Sequence, residues 1–461
     1  MNRPVVDSFR QMRPEMLPGA FFPAVPDLYA ARLMAVLYQM EQSQWLSEAE
    51  LQMRQQGQLA LLLRHAWDSA PGYRQRLESA GYDPGKAPGR QTWSAIPLLT
   101  RSDLQLNHVS LASTAVPESH GKVFTLESSG STGRPVQVLC TDLTRFFWQA
   151  NTLREHIWHR RDFSRSLFSI RPDRGFHDGI VSRQGWGPPV DILMSSGPMW
   201  LMHSNSAVEE QFERICEVRP DYLMTLPSNL RELSLLAVKR KSRPIGIEVR
   251  TFGEAVSEDL REFVKESLGV PLVDVYSATE TGYLALQCPL GGCYHVNAET
   301  VLLEVLDNDG IPCKPGGIGR VVVTSLHNFA LPLIRYEVGD YAEVGGACKC
   351  GRGLPVLTRI LGRVRGMAAK PDGSRFWPSF PGETWMHLAP IRQLQLIQTG
   401  REQIKAIYAM GRELSNDEER QLTNALHTTL CFRYRITFMR VDEIPRSPNG
   451  KFEDFISKMD D

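Results

Sequence analysis

Tyr222-Leu223-Met224-Thr225-Leu226, Glu248-Val249-Arg250-Thr251-Phe252 and Leu272-Val273-Asp274-Val275-Tyr276 are three short apolar runs, and the stretches between them have helical spacing. That alternation predicts a mostly parallel sheet, since parallel neighbours need a crossover that a helix supplies. Upstream, apolar residues at helical spacing (Leu59, Leu62, Leu63, Ala66, Trp67) predict a helix within Leu51–Leu77 that stops at Ala70-Pro71-Gly72, and the chain reads as mostly helical to about Leu111. Residues 143–158 and 208–218 read as helices, whereas Asp162–Met202 shows no clear period. Downstream, Val301–Leu306 and Arg320–Thr324 alternate strictly around the turn residues Asp307–Gly310, so this part is expected to be antiparallel. After Gly366 a smaller unit begins: Gln393–Ile397, Ile404–Ala409 and Ile436–Val441 read as strands, and Ser415 with Glu418 gives a capping-box start to a helix ending near Leu430. The expected class is α/β, with a large N-terminal α/β domain of mixed sheets (1–364) and a small C-terminal α+β domain (365–461).

At roughly 150 residues per domain, 461 residues predict two to four domains. Lys plus Arg and Asp plus Glu both number 52, so the basic excess of a nucleic-acid or anionic-membrane binder is missing. Met1–Pro26 has no apolar core of a secretory signal, and no run approaches the length of a membrane helix. Cysteines are sparse and uneven, with Cys288, Cys293, Cys348 and Cys350 close in sequence and the others scattered, so a reduced, cytoplasmic chain with one metal cluster is expected.

Between a short apolar stretch starting at Val123 and a strand starting at Val136 lies Ser128-Ser129-Gly130-Ser131-Thr132-Gly133-Arg134-Pro135. Hydroxyls with glycine-exposed N–H groups suit a phosphate, although no Gly-Lys-Ser or Gly-Lys-Thr closes the loop as in a Walker A motif. By itself the loop reads equally as an ordinary turn.

Further segments follow in order: Tyr276-Ser277-Ala278-Thr279-Glu280, Arg335-Tyr336-Glu337-Val338-Gly339-Asp340, Gly362-Arg363, and Pro445-Arg446-Ser447-Pro448-Asn449-Gly450-Lys451-Phe452. With the Ser/Gly loop, these resemble the adenylate-forming superfamily, and within it the phenylacetate-CoA ligase-like branch that includes capsule-associated members. The likeness runs from Gln42-Ser43-Gln44-Trp45-Leu46-Ser47 through Leu62–Trp67 to Lys458. It implies activation of a small carboxylic acid by ATP and Mg²⁺ through an acyl-adenylate, with transfer to CoA or another acyl acceptor. In that reading Ser128, Ser129, Gly130, Ser131, Thr132 and Gly133 cover the β- and γ-phosphates, and Tyr276 packs on adenine. Thr279 approaches the α-phosphate, Glu280 helps hold Mg²⁺, Asp340 accepts from the ribose hydroxyls, and Arg363 lies near the ribose or phosphate. Lys451 is the expected catalytic cation, placed where negative charge builds during attack on the α-phosphorus.

The resemblance also implies that the small C-terminal domain is mobile and rotates between the two steps. The family often has an acidic pair after Gly-Arg, whereas here Val364 precedes Arg365-Gly366, which leaves the pivot open. Cys288, His295, Cys348 and Cys350 offer thiolate and imidazole ligands in the number that suits a closed tetrahedral, structural Zn²⁺ site. Relatives with such a site carry a Cys-x-Cys-Gly-Arg stretch like Cys348–Arg352, and their pattern leaves Cys293 out. The family places the acid, expected to be aromatic, near segments 176–179, 186–187, 225–227 and 252–254. Two other readings stand beside a CoA ligase: an adenylating enzyme that hands the acyl group to an amine, hydroxyl or carrier-protein thiol, and an inactive zinc-stabilised binding module. The retained Glu280, Asp340 and Lys451 argue against the last. No nucleic-acid or membrane partner is expected, and the oligomeric state is left open, a homodimer included.

Overall fold

The computed structural model describes residues 12–14, 16–20, 22–128, 135–172, 179–363, 366–378, 385, 387–446 and 451–459. Its N-terminal helices start where their caps dictate: Asp27 accepts from the Ala30 N–H ahead of Leu28–Ser43, and Ser47 with Glu50 closes a capping box on Glu48–Ser69. Ala70-Pro71 ends the latter and opens Pro71–Ser79, with proline at its first position. Among the described residues no helix is long and apolar enough to cross a membrane.

The chain divides into two units. One gathers Met1–Arg165, Arg183–Pro198 and Val275–Ile360; the other gathers Ser166–Ser182, Met199–Asp274 and Leu361–Asp461. In the first, Val301–Leu306, Ile318–Ser325 and Tyr336–Val344 are neighbours in that order, and Val356–Arg363 follows. Tyr294–Val296 and Gly282–Gln287 come next, again antiparallel. Leu59, Leu62, Leu63 and Ala66 pack with Val321, Val323 and Tyr336 in its core. A separate antiparallel pair, Val123–Ser128 with Val136–Thr141, carries the hydroxyl-rich loop. Residues 129–134 of that loop lie outside the described residues.

In the second unit the order is Glu248–Phe252, Tyr222–Thr225, Leu167–Arg171, Pro198–His203, all parallel. Helices Val208–Val218, Pro227–Arg240 and Glu258–Leu268 contribute Phe212, Leu230, Leu233 and Val264 to a core shared with Phe168, Leu223 and Val249. Residues beyond 366 build a core of their own from Leu396, Ile404, Ala406, Leu422, Leu426 and Phe455. There Gln403–Ala409 pairs antiparallel with Gln393–Gly400 and parallel with Arg435–Val441, and Phe455–Ser457 joins the far side of Gln393–Gly400.

The α/β class with mixed sheets is therefore the observed one, and Val208–Val218, Glu248–Phe252 and Val301–Leu306 match their expected bounds. The unpatterned stretch from Asp162 to Met202 instead contains strands Leu167–Arg171, Ile180–Gln184 and Pro198–His203. Leu167–Arg171 has a neighbour on each side, and Phe168, Ser169 and Ile170 are all buried, so no alternation survives to be read.

One ion pair braces the first unit. Arg154, 3% exposed, makes a two-pronged bond to Glu299, with Nη2 to Oε1 at 2.7 Å and Nη1 to Oε2 at 2.9 Å. Ser43 Oγ donates to Glu299 Oε1 at 2.6 Å, and Arg154 Nη2 reaches the Met40 carbonyl at 3.0 Å. Burial pushes the Glu299 carboxyl up, but the Arg154 charge and these hydrogen bonds outweigh it, and its pKa falls below the ordinary value. Arg154→Ala leaves Glu299 buried without its cation and is expected to cost about 3–5 kcal/mol in urea unfolding, with Arg154→Ala/Glu299→Ala less unstable than the sum of the single variants.

Candidate active site and thiol cluster

Strand Leu272–Ala278 returns as Gly282–Gln287 through a turn closed by Thr281 N–H to Ala278 O at 3.2 Å, so Thr279 and Glu280 sit at the tip. Thr279 is exposed and Glu280 is 8% exposed. Tyr276, buried near the end of strand Leu272–Ala278, donates its hydroxyl to Asp340 Oδ2 at 3.0 Å, bringing together two motifs 64 residues apart. Gly339, just before that aspartate, has φ +89°, a backbone state that favours glycine. Arg101, at the start of helix Arg101–Leu111, spans Glu280 and the head of the hydroxyl-rich loop. Its Nη1 meets Glu280 Oε1 at 3.1 Å and its Nη2 meets Ser128 Oγ at 3.2 Å. Within the first unit, Ser128 and Glu280 thus share Arg101 as a partner, and Tyr276 and Asp340 bond each other. Ser129, Gly130, Ser131, Thr132 and Gly133 fall outside the described residues.

Lys451 and Arg363 belong to the second unit. Arg363 ends strand Val356–Arg363 just after Gly362, whose φ is +84°, and its carbonyl accepts from Trp377 Nε1 at 3.4 Å. Lys451 Nζ donates to the Gly253 carbonyl, and the next amide, Phe452 N–H, donates to Glu254 Oε1 at 3.1 Å. Arg446 Nη2 bonds Glu232 Oε1 at 2.6 Å. Residues 173–178, which include part of the expected acid pocket, and Val364 and Arg365 lie outside the described residues.

The thiol cluster is built by two turns of the first unit. Cys288 N–H donates to Cys293 O at 2.7 Å and Gly292 N–H to Cys288 O at 3.0 Å, while Gly351 N–H closes a turn onto Cys348 O at 3.1 Å. The donor atoms of Cys288, His295, Cys348 and Cys350 all lie within 4.8 Å of one another. Cys288 Sγ and Cys348 Sγ are 3.7 Å apart, and His295 Nε2 is 3.1 Å from Cys350 Sγ. A tetrahedron with bonds of about 2.3 Å has edges of about 3.8 Å, so this donor set fits one zinc ion. His295 Nδ1 is buried with no partner among the described residues, leaving Nε2 as the nitrogen that faces the thiols. Cys293 stands beside the set. Its hydrogen bond to Cys288 is the main cause that lowers the Cys288 thiol, while Cys293 itself is pushed up. A side chain at Gly291 would bring its Cβ within 2.5 Å of Cys348 Sγ, so only glycine lets this turn approach the sulfurs.

No family model matches the chain. The phenylacetate-coenzyme A ligase of Thermus thermophilus is 29% identical over 351 residues, covering 72% of this chain and 74% of that protein. The phenylacetate-coenzyme A ligase of Escherichia coli is 25% identical over 432 residues, covering 86% and 93%. In fold, the chain matches 2-hydroxyisobutyryl-CoA ligase in its postadenylation state with a TM-score of 0.71 at 17% identity, over 90% of this chain and 91% of that one. The chain is similar in sequence to phenylacetate-CoA ligases and has the fold of an adenylate-forming CoA ligase. The motif resemblance, the sequence likeness and the fold agree.

Arg101 was not singled out from the sequence, and Glu254 and Arg446 stood only within longer segments, with no role of their own. Thr100 and Asp103 form a capping box that marks Arg101 as the first residue of its helix, but its partner Glu280 is 179 positions away. The Cys-x-Cys-Gly-Arg loop has an unread constraint as well: Gly353 N–H donates to Gln44 O at 2.9 Å, Arg352 Nε donates to Gln44 Oε1 at 2.8 Å, and the Arg352 guanidinium lies 4.2 Å from the Trp158 ring centre. A Cβ on Gly353 would stand 1.8 Å from the Leu46 carbonyl oxygen. Gly353→Ala is therefore expected to lower stability by about 2 kcal/mol or more, read as a drop in the thermal midpoint, whereas Gly346→Ala, with open space around it, leaves it nearly unchanged.

Proposed function

We propose that this protein is an AMP-forming acid–CoA ligase. A carboxylate oxygen attacks the α-phosphorus of ATP, the bond to pyrophosphate breaks, and the acyl-adenylate forms. The CoA sulfur then attacks the acyl carbon, AMP leaves, and the thiol proton is lost to solvent or base. What supports the reading is the pairing of Tyr276 with Asp340 beside the Arg101 bridge from Glu280 to Ser128, in a chain whose relatives are phenylacetate-CoA ligases.

In this reading Asp340 orients the ribose and Tyr276 faces the adenine. Thr279 meets the α-phosphate, and the loop from Ser128 to Gly133 covers the outer phosphates, with Arg363 near the ribose or phosphate. Glu280 supplies a hard oxygen ligand to Mg²⁺, which when bound neutralises phosphate charge. Lys451 supplies the cation for the charge that builds on the α-phosphate and departing pyrophosphate. Residues 1–364 serve as the adenylating domain and residues 365–461 as the moving lid; the separate core beyond residue 366 supports that division. The acid is aromatic, as the names of the phenylacetate-CoA ligases give for theirs. Cys288, His295, Cys348 and Cys350 hold one structural Zn²⁺, which ties two distant turns together without an open position for water.

Pyrophosphate release with MgATP and a panel of aromatic and aliphatic carboxylates, with and without CoA and with hydroxylamine as an adenylate trap, tests the reading. Acid-dependent release with turnover that requires CoA is the expected result. Lys451→Ala is expected to lower release by about 10²–10³-fold with the fold intact, and release at the wild-type rate overturns its role. For the metal, elemental analysis of purified protein is expected to give about one zinc per chain, lost in Cys350→Ser; a fully folded, metal-free wild type overturns the site.

A further inference from the structure

Glu254 lies in the segment 252–254 expected near the acid, and its side chain joins helix Pro227–Arg240 to the residue that follows Lys451. Helix Pro227–Arg240 begins after Leu226, which has no polar side chain to satisfy the first-turn amides. Glu254 does so from outside: its Oε2 accepts the Ser228 N–H at 2.8 Å, and its Oε1 accepts the Ser228 hydroxyl at 3.1 Å. The same Oε1 accepts the Phe452 N–H at 3.1 Å, directly after Lys451. Lys451 Nζ is in turn held by the carbonyl of Gly253, the residue before Glu254, where φ is +79°. A side-chain Cβ at Gly253 would lie 3.6 Å from both Lys451 Cε and Nζ, so the lysine lies directly over this turn. Ahead of the loop, Arg446 is fixed by Glu232 at 2.6 Å and by Ser228 Oγ at 3.4 Å.

The carboxylate thus does more than cap a helix. It sets the backbone height of the residue that follows the lysine, and the carbonyl of the residue before it, Gly253, holds the lysine tip. Burial pushes the Glu254 carboxyl up, and the Ser228 amide, the Lys451 charge and the Phe452 amide pull against that shift. Each donor is therefore needed by the carboxylate as much as the carboxylate is needed by the donors.

We propose that Glu254 is a positioning residue for the adenylation half-reaction: it seats Lys451 through Phe452 and Gly253, and it has no role in thioester formation. This rests on the ligase reading above.

Two readouts test it on the full-length chain. The first is hydrogen exchange in the peptide covering residues 451–455, compared between wild type, E254Q and E254A. Exchange is expected to be at least about tenfold faster in E254A and intermediate in E254Q, which keeps one acceptor oxygen; unchanged protection overturns the proposal. The second separates the half-reactions, using phenylacetate with MgATP for pyrophosphate release and supplied phenylacetyl-adenylate with CoA for thioester formation. E254A is expected to lose about 10²-fold in the first and to stay within about threefold of wild type in the second, with E254Q recovering part of the loss. Equal loss in both half-reactions reduces Glu254 to a helix cap and overturns the proposal. If E254A does not fold, E254Q carries the same comparison. A wild type that releases no pyrophosphate with any acid overturns the ligase reading and the catalytic part of the proposal with it, whereas faster exchange in E254A then still assigns the loop contact to Glu254.

Discussion

The two-pronged bond between Arg154 and Glu299 is the contact on which the first unit leans. It lets helix Asp142–Trp158 be buried along most of its second half, where Asn151, Arg154, Glu155 and His156 are all inaccessible. A helix with that many polar groups inside is stable only if each finds a partner, and it does so pairwise: Arg154 with Glu299, Arg161 with Glu155 at 2.6 Å. The same bond reaches Ser43 and Met40 at the end of helix Leu28–Ser43. From there the brace continues to the thiol cluster, since Gln44 holds Arg352 and Trp158 lies under its guanidinium. The cysteine turns rest on a floor fixed by a buried ion pair.

What could be read in advance follows from whether the cause is local. Caps, turns and amphipathic helices are local, so the Ser415–Glu418 box and the helix from Val208 to Val218 were legible from spacing alone. Cys288, His295, Cys348 and Cys350 were singled out by residue type together with the resemblance, and their donor atoms do come within 4.8 Å of one another. Strand Leu167–Arg171 was not legible, since burial on both faces erases the alternation that marks a strand. Phe455–Ser457 is three residues long and is defined by the neighbour it pairs with, Gln393–Gly400, rather than by its own sequence. Arg101 and Glu254 are charged residues that each have one partner far off in sequence, Glu280 at 179 positions and Phe452 at 198. Nothing near them distinguishes them from solvated surface groups.

The candidate site uses charge in two ways. Arg101 touches both Glu280 and Ser128, so one guanidinium orients a carboxylate and a hydroxyl at the mouth of the same loop. Its planar fork fixes direction at little further loss of side-chain freedom, which a lysine on a flexible stem would not do. The hydroxyl of Tyr276 restrains Asp340 in the same manner. These contacts fix the direction of acceptors that the proposed chemistry needs.

Lys451 is held differently, and the difference suits the role proposed for it, which needs a defined position that the residue can also leave. The loop carrying it is fastened by the Arg446–Glu232 pair, with side chains 11% and 21% exposed, and by single hydrogen bonds from Phe452 and Lys451. Partly exposed ion pairs and single neutral or charge-assisted hydrogen bonds are each worth about 0.5–3 kcal/mol, far less in sum than burial of several large apolar side chains. The buried anchor of the tail is Phe455, in the core beyond residue 366, and not the lysine segment itself. A loop fastened by polar contacts has a defined geometry when they are made and a modest barrier to leaving it. An apolar anchor would give the geometry without the release that a two-step transfer of the acyl group requires.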